Sequence, residues 1–139
     1  MKFFLFLLFF IFSTNSFALM GKGVLCNLDR EGTSPFAFYF ITETSYDYDE
    51  IRTNGATYYI KSSWQKYYFD RDFIGVGDLY YNYLINRKTL ELFSYKDEKK
   101  IGTCEVFNDH KNLKNKIIEI KDKYQQEHDR NSEKEGNKL

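Results

Sequence analysis

The chain has 139 residues, and its 20 basic and 20 acidic side chains give a formal charge of zero. This length accommodates one domain, and the balanced charge argues against a protein that binds the phosphate backbone of nucleic acids. Hydrophobic residues make up 42% of the chain, which argues against wholesale disorder.

The first eighteen residues have the pattern of a secretory signal peptide. Lys2 precedes an unbroken apolar run over residues 3–12, and the small residues Ser16 and Ala18 follow at the spacing that signal peptidase requires. The run is half as long as a membrane span. We therefore predict a leader over residues 1–18, cleavage after Ala18, and an exported protein with no transmembrane segment after processing, in the bacterial periplasm or outside the cell.

The middle of the chain predicts a β domain over residues 19–107. Short runs rich in Tyr, Phe, Thr, Ile and Val alternate with turn residues. The sequence Asn54-Gly55 favours a hairpin with a type I′ turn, and residues 86–88 favour a second tight connection. The fold class is mainly β: an antiparallel meander of about seven or eight strands, curled into a small barrel or sandwich, with one C-terminal amphipathic helix. The runs predicted as strands are 24–28, 36–41, 57–60, 67–69, 79–85, 89–93 and 102–107.

The two cysteines predict a disulfide that joins the first strand to the last. Cys26 and Cys104 each alternate with apolar neighbours, so both point toward a buried face if these segments are strands. Neither the CxxC spacing of redox sites nor neighbouring metal ligands are present. A disulfide between these two cysteines closes a long loop, which in the chain-entropy model stabilises the folded chain by roughly 4 kcal/mol.

The C-terminal region changes to a helical period. Leu113, Ile117, Ile120 and Tyr124 form one apolar stripe, and Asn108 or Asp109 can cap the helix start. We predict a helix over residues 108–128 that packs on the sheet or on the barrel mouth, followed by a disordered tail over residues 129–139.

One segment resembles a known pattern. Residues 84–92, Leu-Ile-Asn-Arg-Lys-Thr-Leu-Glu-Leu, are followed by Gly-Thr-Cys at 102–104. This resembles the closing hairpin of uncharacterised families of small exported bacterial proteins, in which an (Asn/Asp)-Arg-x-Thr turn precedes a Gly-x-Cys strand that pairs with an early cysteine. Leu90 stands where many members have Gly. Those families have no established activity, so the resemblance implies only a fold and a compartment.

The side chains that usually carry catalysis do not form a recognisable set. His110 and His128 are eighteen positions apart, which places them about 27 Å apart on one helix face. The carboxylates Asp47, Asp49, Asp70 and Asp72 lie among turn residues, and an enzyme that uses them would need two on opposite sides of a cleft. We predict no catalytic residue, metal site or cofactor, and a protein that is not an enzyme.

The tyrosine-rich strands favour binding. Exposed aromatic rings stack on sugars or anchor protein partners, so we predict a non-enzymatic domain that binds a protein or a saccharide. Two alternatives stay open: a carrier of a small apolar ligand with a lumen of roughly 300 Å³ or more, and an inhibitor of an extracellular enzyme. The candidate binding surface consists of Tyr58, Tyr59, Trp64, Tyr67, Tyr68, Tyr80 and Tyr81.

Overall fold

The computed structural model describes residues 19–77 and 82–136, and these form one antiparallel sheet and one helix. The sheet curls into a nearly closed barrel, as the fold class predicted. The leader prediction and Tyr80 and Tyr81 lie outside the described residues. The elements are β1 Gly23–Leu28, β2 Phe36–Phe40, β3 Ser45–Thr53, β4 Tyr58–Lys66, β5 Tyr68–Phe69, β6 Phe73–Val76, β7 Tyr83–Asn86, β8 Glu91–Ser94, β9 Lys100–Phe107 and α1 His110–Gly136.

The strand order explains how the barrel closes. Neighbours follow the order β4-β3-β2-β1-β9-β8-β7-β6-β5, and every pairing is antiparallel, so β4 and β5 run in the same direction. The chain therefore pairs with β3 along β4, turns at Tyr67, and then pairs with β6 along β5. At this corner the Tyr67 backbone N–H donates to the Thr44 carbonyl (2.9 Å) and its hydroxyl donates to the Thr42 carbonyl (2.9 Å).

Aromatic side chains fill the barrel interior. Phe36 stacks on Tyr83 with ring centroids 5.0 Å apart, and Phe38 meets Tyr46 edge to face at 5.2 Å. Such offset and edge contacts are the arrangements that aromatic rings prefer. The buried members of this interior cluster are Val24, Cys26, Phe36, Phe38, Phe40, Tyr46, Tyr67, Ile74, Val76, Ile85 and Leu92.

The helix covers the outer face of the sheet. Leu113 and Ile117 are fully buried against Leu25, Ala37 and Ile51, and Ile120 and Tyr124 pack at the edge of the same cluster. This confirms the predicted apolar stripe and shows that it lies on the barrel wall. Gly23 allows the close approach, because a Cβ there would collide with the side chain of Leu113.

Cys26 and Cys104 form the predicted disulfide. They stand directly opposite each other in the antiparallel ladder between β1 and β9, with Cα atoms 4.0 Å apart. Cys26 is fully buried in the interior cluster. The covalent link therefore joins the first strand to the last at a point where the ladder already holds them together.

Several strand and turn boundaries differ from the predictions. β3 and β6 were not predicted, and β4 continues to Lys66 instead of ending at residue 60. The hairpin at Asn54-Gly55 is present, but its turn is not type I′: Thr53 pairs with Tyr58 across a four-residue loop, and Gly55 has a positive φ of 96° whereas Asn54 has none. Asn54 Oδ1 instead accepts the backbone N–H groups of Ala56 and Thr57, because an Asn side chain can close its own turn.

The helix starts near the predicted residue and ends later. Asp109 caps it, with Oδ1 accepting the backbone N–H of Asn112 at 2.8 Å. It runs to Gly136, so residues 129–136 of the predicted disordered tail are helical and residues 137–139 lie outside the described part. Within the helix, no Pro or Gly occurs before Gly136. The Gln125 side-chain amide also donates to Asp129, one turn further on, at 2.8 Å.

Candidate functional site

The predicted aromatic surface is not assembled as one surface. Tyr67 is 5% exposed inside the barrel and Tyr58 lies beneath the helix, 5.7 Å from the ring of Tyr124, so neither belongs to it. Tyr59, Trp64 and Tyr68 are exposed, at 44%, 59% and 50% of their surface. Tyr59 and Trp64 lie on opposite faces of β4 because they have opposite parity, and Tyr68 lies in β5 opposite Gly75.

A cleft opens in the barrel wall between β4 and the β6–β7 hairpin. β5 pairs with β6 over only two residues, and in the described part of the chain β4 does not pair with β6 or β7. The gap leaves a cleft of about 370 Å³, which we call the side cleft. Sites for small molecules span roughly 300–1,000 Å³ and often lie in the mouths of β-barrels. The side cleft is lined by Phe38, Tyr48, Glu50, Arg52, Lys61, Ser63, Gln65, Gly77, Asn82 and Tyr83.

Strand alternation places these residues in the cleft. In β3, Tyr46, Tyr48, Glu50 and Arg52 share the inner face, while the residues between them face outward. In β4, Lys61, Ser63 and Gln65 share the inner face in the same way. Two charged and polar strand faces therefore enclose an aromatic floor.

An ion pair fixes the charge at one wall of the cleft. Arg52 Nη2 lies 2.6 Å from Glu50 Oε1, and the Tyr48 hydroxyl donates to Glu50 Oε2 at 3.3 Å. Burial, and then the Glu50 carboxylate, raise the pKa of Tyr48 well above its usual range. The same two causes, in the same order, raise the pKa of Tyr83. Like other phenols, both hydroxyls are protonated at neutral pH and have a proton to donate, and the raised pKa values extend this state to higher pH.

Tyr46 bridges the two sides of the gap beneath the cleft. It is fully buried, donates its hydroxyl proton to Gln65 Oε1 (2.7 Å) and accepts the backbone N–H of Gly77 (2.8 Å). The hydroxyl thus links β3, β4 and the end of β6 at the point where the sheet lacks a backbone ladder. Gln65 is positioned by this contact and contributes a fixed amide to the cleft.

The other predicted candidates lie elsewhere. Asp49 is bound on the outer face by Lys114, and Asp72 pairs with Lys88 on the β6 side of a turn. Asp70 accepts the backbone N–H groups of Asp72 and Phe73, which hold the pKa of its carboxyl below the usual range. Asp47 projects from the outer face of β3. None of these four carboxylates lines the side cleft.

The two histidines have local partners on the helix side. The ring of His110 stacks on Tyr39 with centroids 4.3 Å apart, and His128 Nε2 lies 2.9 Å from the Gly55 carbonyl oxygen. Both contacts attach the helix to the β-barrel.

A small apolar cavity lies within the described part of the barrel interior, and the carrier hypothesis stays a prediction. A cavity at the opposite end, lined by Leu19, Val24, Phe40 and Leu90 among others, measures about 70 Å³. This volume is far below the roughly 300 Å³ that the carrier hypothesis requires.

The sequence predictions missed Glu50, Arg52, Lys61 and Tyr83 as site residues. A partial signal was present, because aromatic and acidic residues alternate through residues 46–49. Alternation assigns residues to a face of a strand, but it does not show that two such strands diverge from a third and leave a cleft.

Comparison with known proteins gives no relative. No family model matches the chain, and neither a curated protein nor a solved structure matches it. The resemblance to families of small exported bacterial proteins therefore stays a prediction. Within the described residues, no helix has both the length and the apolar character that a membrane span needs.

Proposed function

We propose that this protein is an exported, non-enzymatic binding domain that holds a small polar ligand of the saccharide class in the side cleft. The proposed ligand is a saccharide, as in the sequence prediction, but the proposed binding site is the side cleft and not the exposed aromatic residues. Export is supported by the leader pattern over residues 1–18 and by the Cys26–Cys104 disulfide, since disulfides persist outside the cytosol.

The observation that carries the proposal is the composition of the cleft. Aromatic rings of Phe38, Tyr48 and Tyr83 stand beside hydroxyl, amide, carboxylate and cationic groups within about 370 Å³. Such a site offers apolar faces to a sugar ring and hydrogen-bonding groups to its hydroxyls. A lipid or a flat protein surface would leave those polar groups without partners, which costs binding free energy.

The test is a binding screen with a matched pair of variants on β4. Ligand-observed NMR would measure binding of glucose, galactose, N-acetylglucosamine, glucosamine, glucuronate and glucose 6-phosphate to the disulfide-bonded domain. Ser63→Phe fills the cleft and should abolish binding, since Ser63 faces inward and lines it. Trp64→Ala, one residue further along, removes an outward ring that is 59% exposed and should leave binding unchanged.

The opposite result would contradict the proposal. Binding that survives Ser63→Phe but is lost in Trp64→Ala would place the site on the outer aromatic surface. Failure of every sugar to bind the wild-type domain at millimolar concentration would also overturn it. Circular dichroism and thermal unfolding of both variants would show that each has folded.

A further inference from the structure

The side cleft contains more positive than negative charge among its described residues. Glu50 contributes one negative charge, and Arg52 and Lys61 contribute one positive charge each. The Glu50 carboxylate is already engaged by Arg52 at 2.6 Å and by the Tyr48 hydroxyl. The excess positive charge is therefore located at Lys61.

Lys61 is an exposed residue that lines the side cleft from β4. It stands directly opposite Glu50 in the β3–β4 ladder, yet its ammonium group forms no ion pair or hydrogen bond with the described residues. Cross-strand neighbours of opposite charge usually attract each other. Here Glu50 is drawn to Arg52 on its own strand, so the Lys61 ammonium has no counterion among the residues that the structure describes.

A second group in the cleft has an unused proton. The Tyr83 hydroxyl has no hydrogen-bond partner among the described residues, while its ring stacks on Phe36 and is held in place. Burial and the Glu50 carboxylate keep this hydroxyl protonated by raising its pKa. A phenol and an ammonium that line the same cleft, both without a partner among the described residues, favour an anionic oxygen.

We propose that the side cleft prefers a sugar that carries one negative group, a carboxylate or a phosphate, with Lys61 as the cation that selects it. This inference rests on the proposed function, because it names the charge of the ligand that the same cleft would take. The ring would occupy the aromatic floor, and the anionic group would replace the missing counterion of Lys61. Neutral sugars would bind more weakly, and amino sugars more weakly still because of like-charge repulsion.

Isothermal titration with four sugars of similar size would test the preference. Glucuronate and glucose 6-phosphate carry the charge on a carboxylate and on a phosphate, glucose carries none, and glucosamine carries a positive charge. We expect either anionic sugar to bind about tenfold more tightly than glucose, which corresponds to one charge-assisted contact. The ratio of the affinities for glucuronate and glucose 6-phosphate then shows whether the cleft prefers a carboxylate or a phosphate.

Two lysine variants on β4 separate the specific role of Lys61 from the effect of the net charge of the protein. Lys61→Gln should reduce the affinity for the anionic sugar about tenfold and reduce the affinity for glucose much less. Lys66→Gln removes the same charge from the outward face of β4 and should change neither affinity. Added salt should weaken the wild-type preference and have little effect in Lys61→Gln.

The outcomes distinguish this inference from the proposed function. Equal affinities for glucose and glucuronate, or an equal loss of both in Lys61→Gln, would overturn the inference while a saccharide site in the cleft still stands. A preference for glucosamine would also overturn the inference. Absence of binding by all four sugars would overturn both proposals.

Discussion

Among the described residues, two other than glycine hold a left-handed backbone, and their side chains have different surroundings. Leu90 has φ 59° and Glu98 has φ 52°. Leu90 lines the apolar cavity at the end of the barrel, so its side chain offsets part of the strain with buried contacts. Glu98 is exposed, and no contact of its side chain with the described residues compensates the strain.

We predict that Glu98→Gly stabilises the protein by about 0.5–1 kcal/mol. Glycine adopts a positive φ without a steric penalty, and this gain exceeds the larger conformational entropy of glycine in the unfolded chain. Urea unfolding would measure the change. Lys96→Gly is the control in the same turn: its backbone has no positive φ, so glycine there should destabilise by a similar amount. Destabilisation by Glu98→Gly would contradict the strain argument.

Leu90 shows what a residue pattern predicts and what it does not. The positive φ of Leu90 is a backbone conformation that glycine adopts more readily than leucine does. The pattern did not predict that the leucine side chain would line a cavity between β1, β7 and β9. A local sequence pattern can predict the backbone conformation of a residue. The packing of its side chain depends on neighbours that are distant in the chain.

At the scale of elements, the attachment of α1 depends on polar contacts as well as on its apolar stripe. Lys114 Nζ lies 2.9 Å from Asp49 Oδ2, and Ser62 donates to the other oxygen of the same carboxylate. Further along, Gln125 accepts the backbone N–H of Tyr58 (2.7 Å) and donates to the Ala56 carbonyl (3.1 Å). These contacts fix the register of the helix against β3 and β4.

We predict that Lys114→Met destabilises the protein by about 1–3 kcal/mol. Asp49 is 7% exposed, so removal of its cation leaves a nearly buried carboxylate with an incomplete set of partners. Lys116→Met is the control on the same helix, because Lys116 pairs with an exposed Glu119 and should contribute less than about 0.5 kcal/mol. Chemical denaturation would measure both. Equal losses of unfolding free energy in the two variants would show that the Lys114–Asp49 contact stabilises the protein no more than an exposed ion pair does.

The helix was predicted well and β3 was not, for reasons that lie in their side chains. The stripe from Leu113 to Tyr124 is apolar on one face and polar on the other, so its period is clear. In β3 the inward positions end in Glu50 and Arg52, because they line a cleft, and the outward positions include Asp47 and Asp49. Charged residues on both faces resemble a loop when the sequence is read alone.

At the scale of the whole molecule, tyrosines connect the barrel interior, the cleft and the helix interface. The pKa values of Tyr48, Tyr67, Tyr83 and Tyr124 are all raised, and burial is the first cause in each case. Nearby carboxylates, Glu50 for Tyr48 and Tyr83, add to the effect. The folded protein therefore favours the neutral phenol at sites distributed over the entire structure.

We predict that the free energy of unfolding falls steeply as the pH rises above about 10, the pKa of an unperturbed tyrosine. Below that pH the phenols are protonated in both states, so their full contribution is present. Above it the unfolded chain loses protons first, because the folded pKa values are higher, and stability declines until the folded phenols also titrate. Urea denaturation between about pH 8 and pH 11 would measure the curve.

Tyr48→Phe isolates the largest contribution, since its pKa is raised most and Phe keeps the ring packed against Phe38. The variant should lose stability less steeply above pH 10 than the wild type. The exposed Tyr59→Phe should follow the wild-type curve. If Tyr48→Phe and wild type declined in parallel, the Tyr48 hydroxyl would be ionising equally well in the folded barrel. That result would overturn the argument that burial and the Glu50 carboxylate raise the pKa of Tyr48.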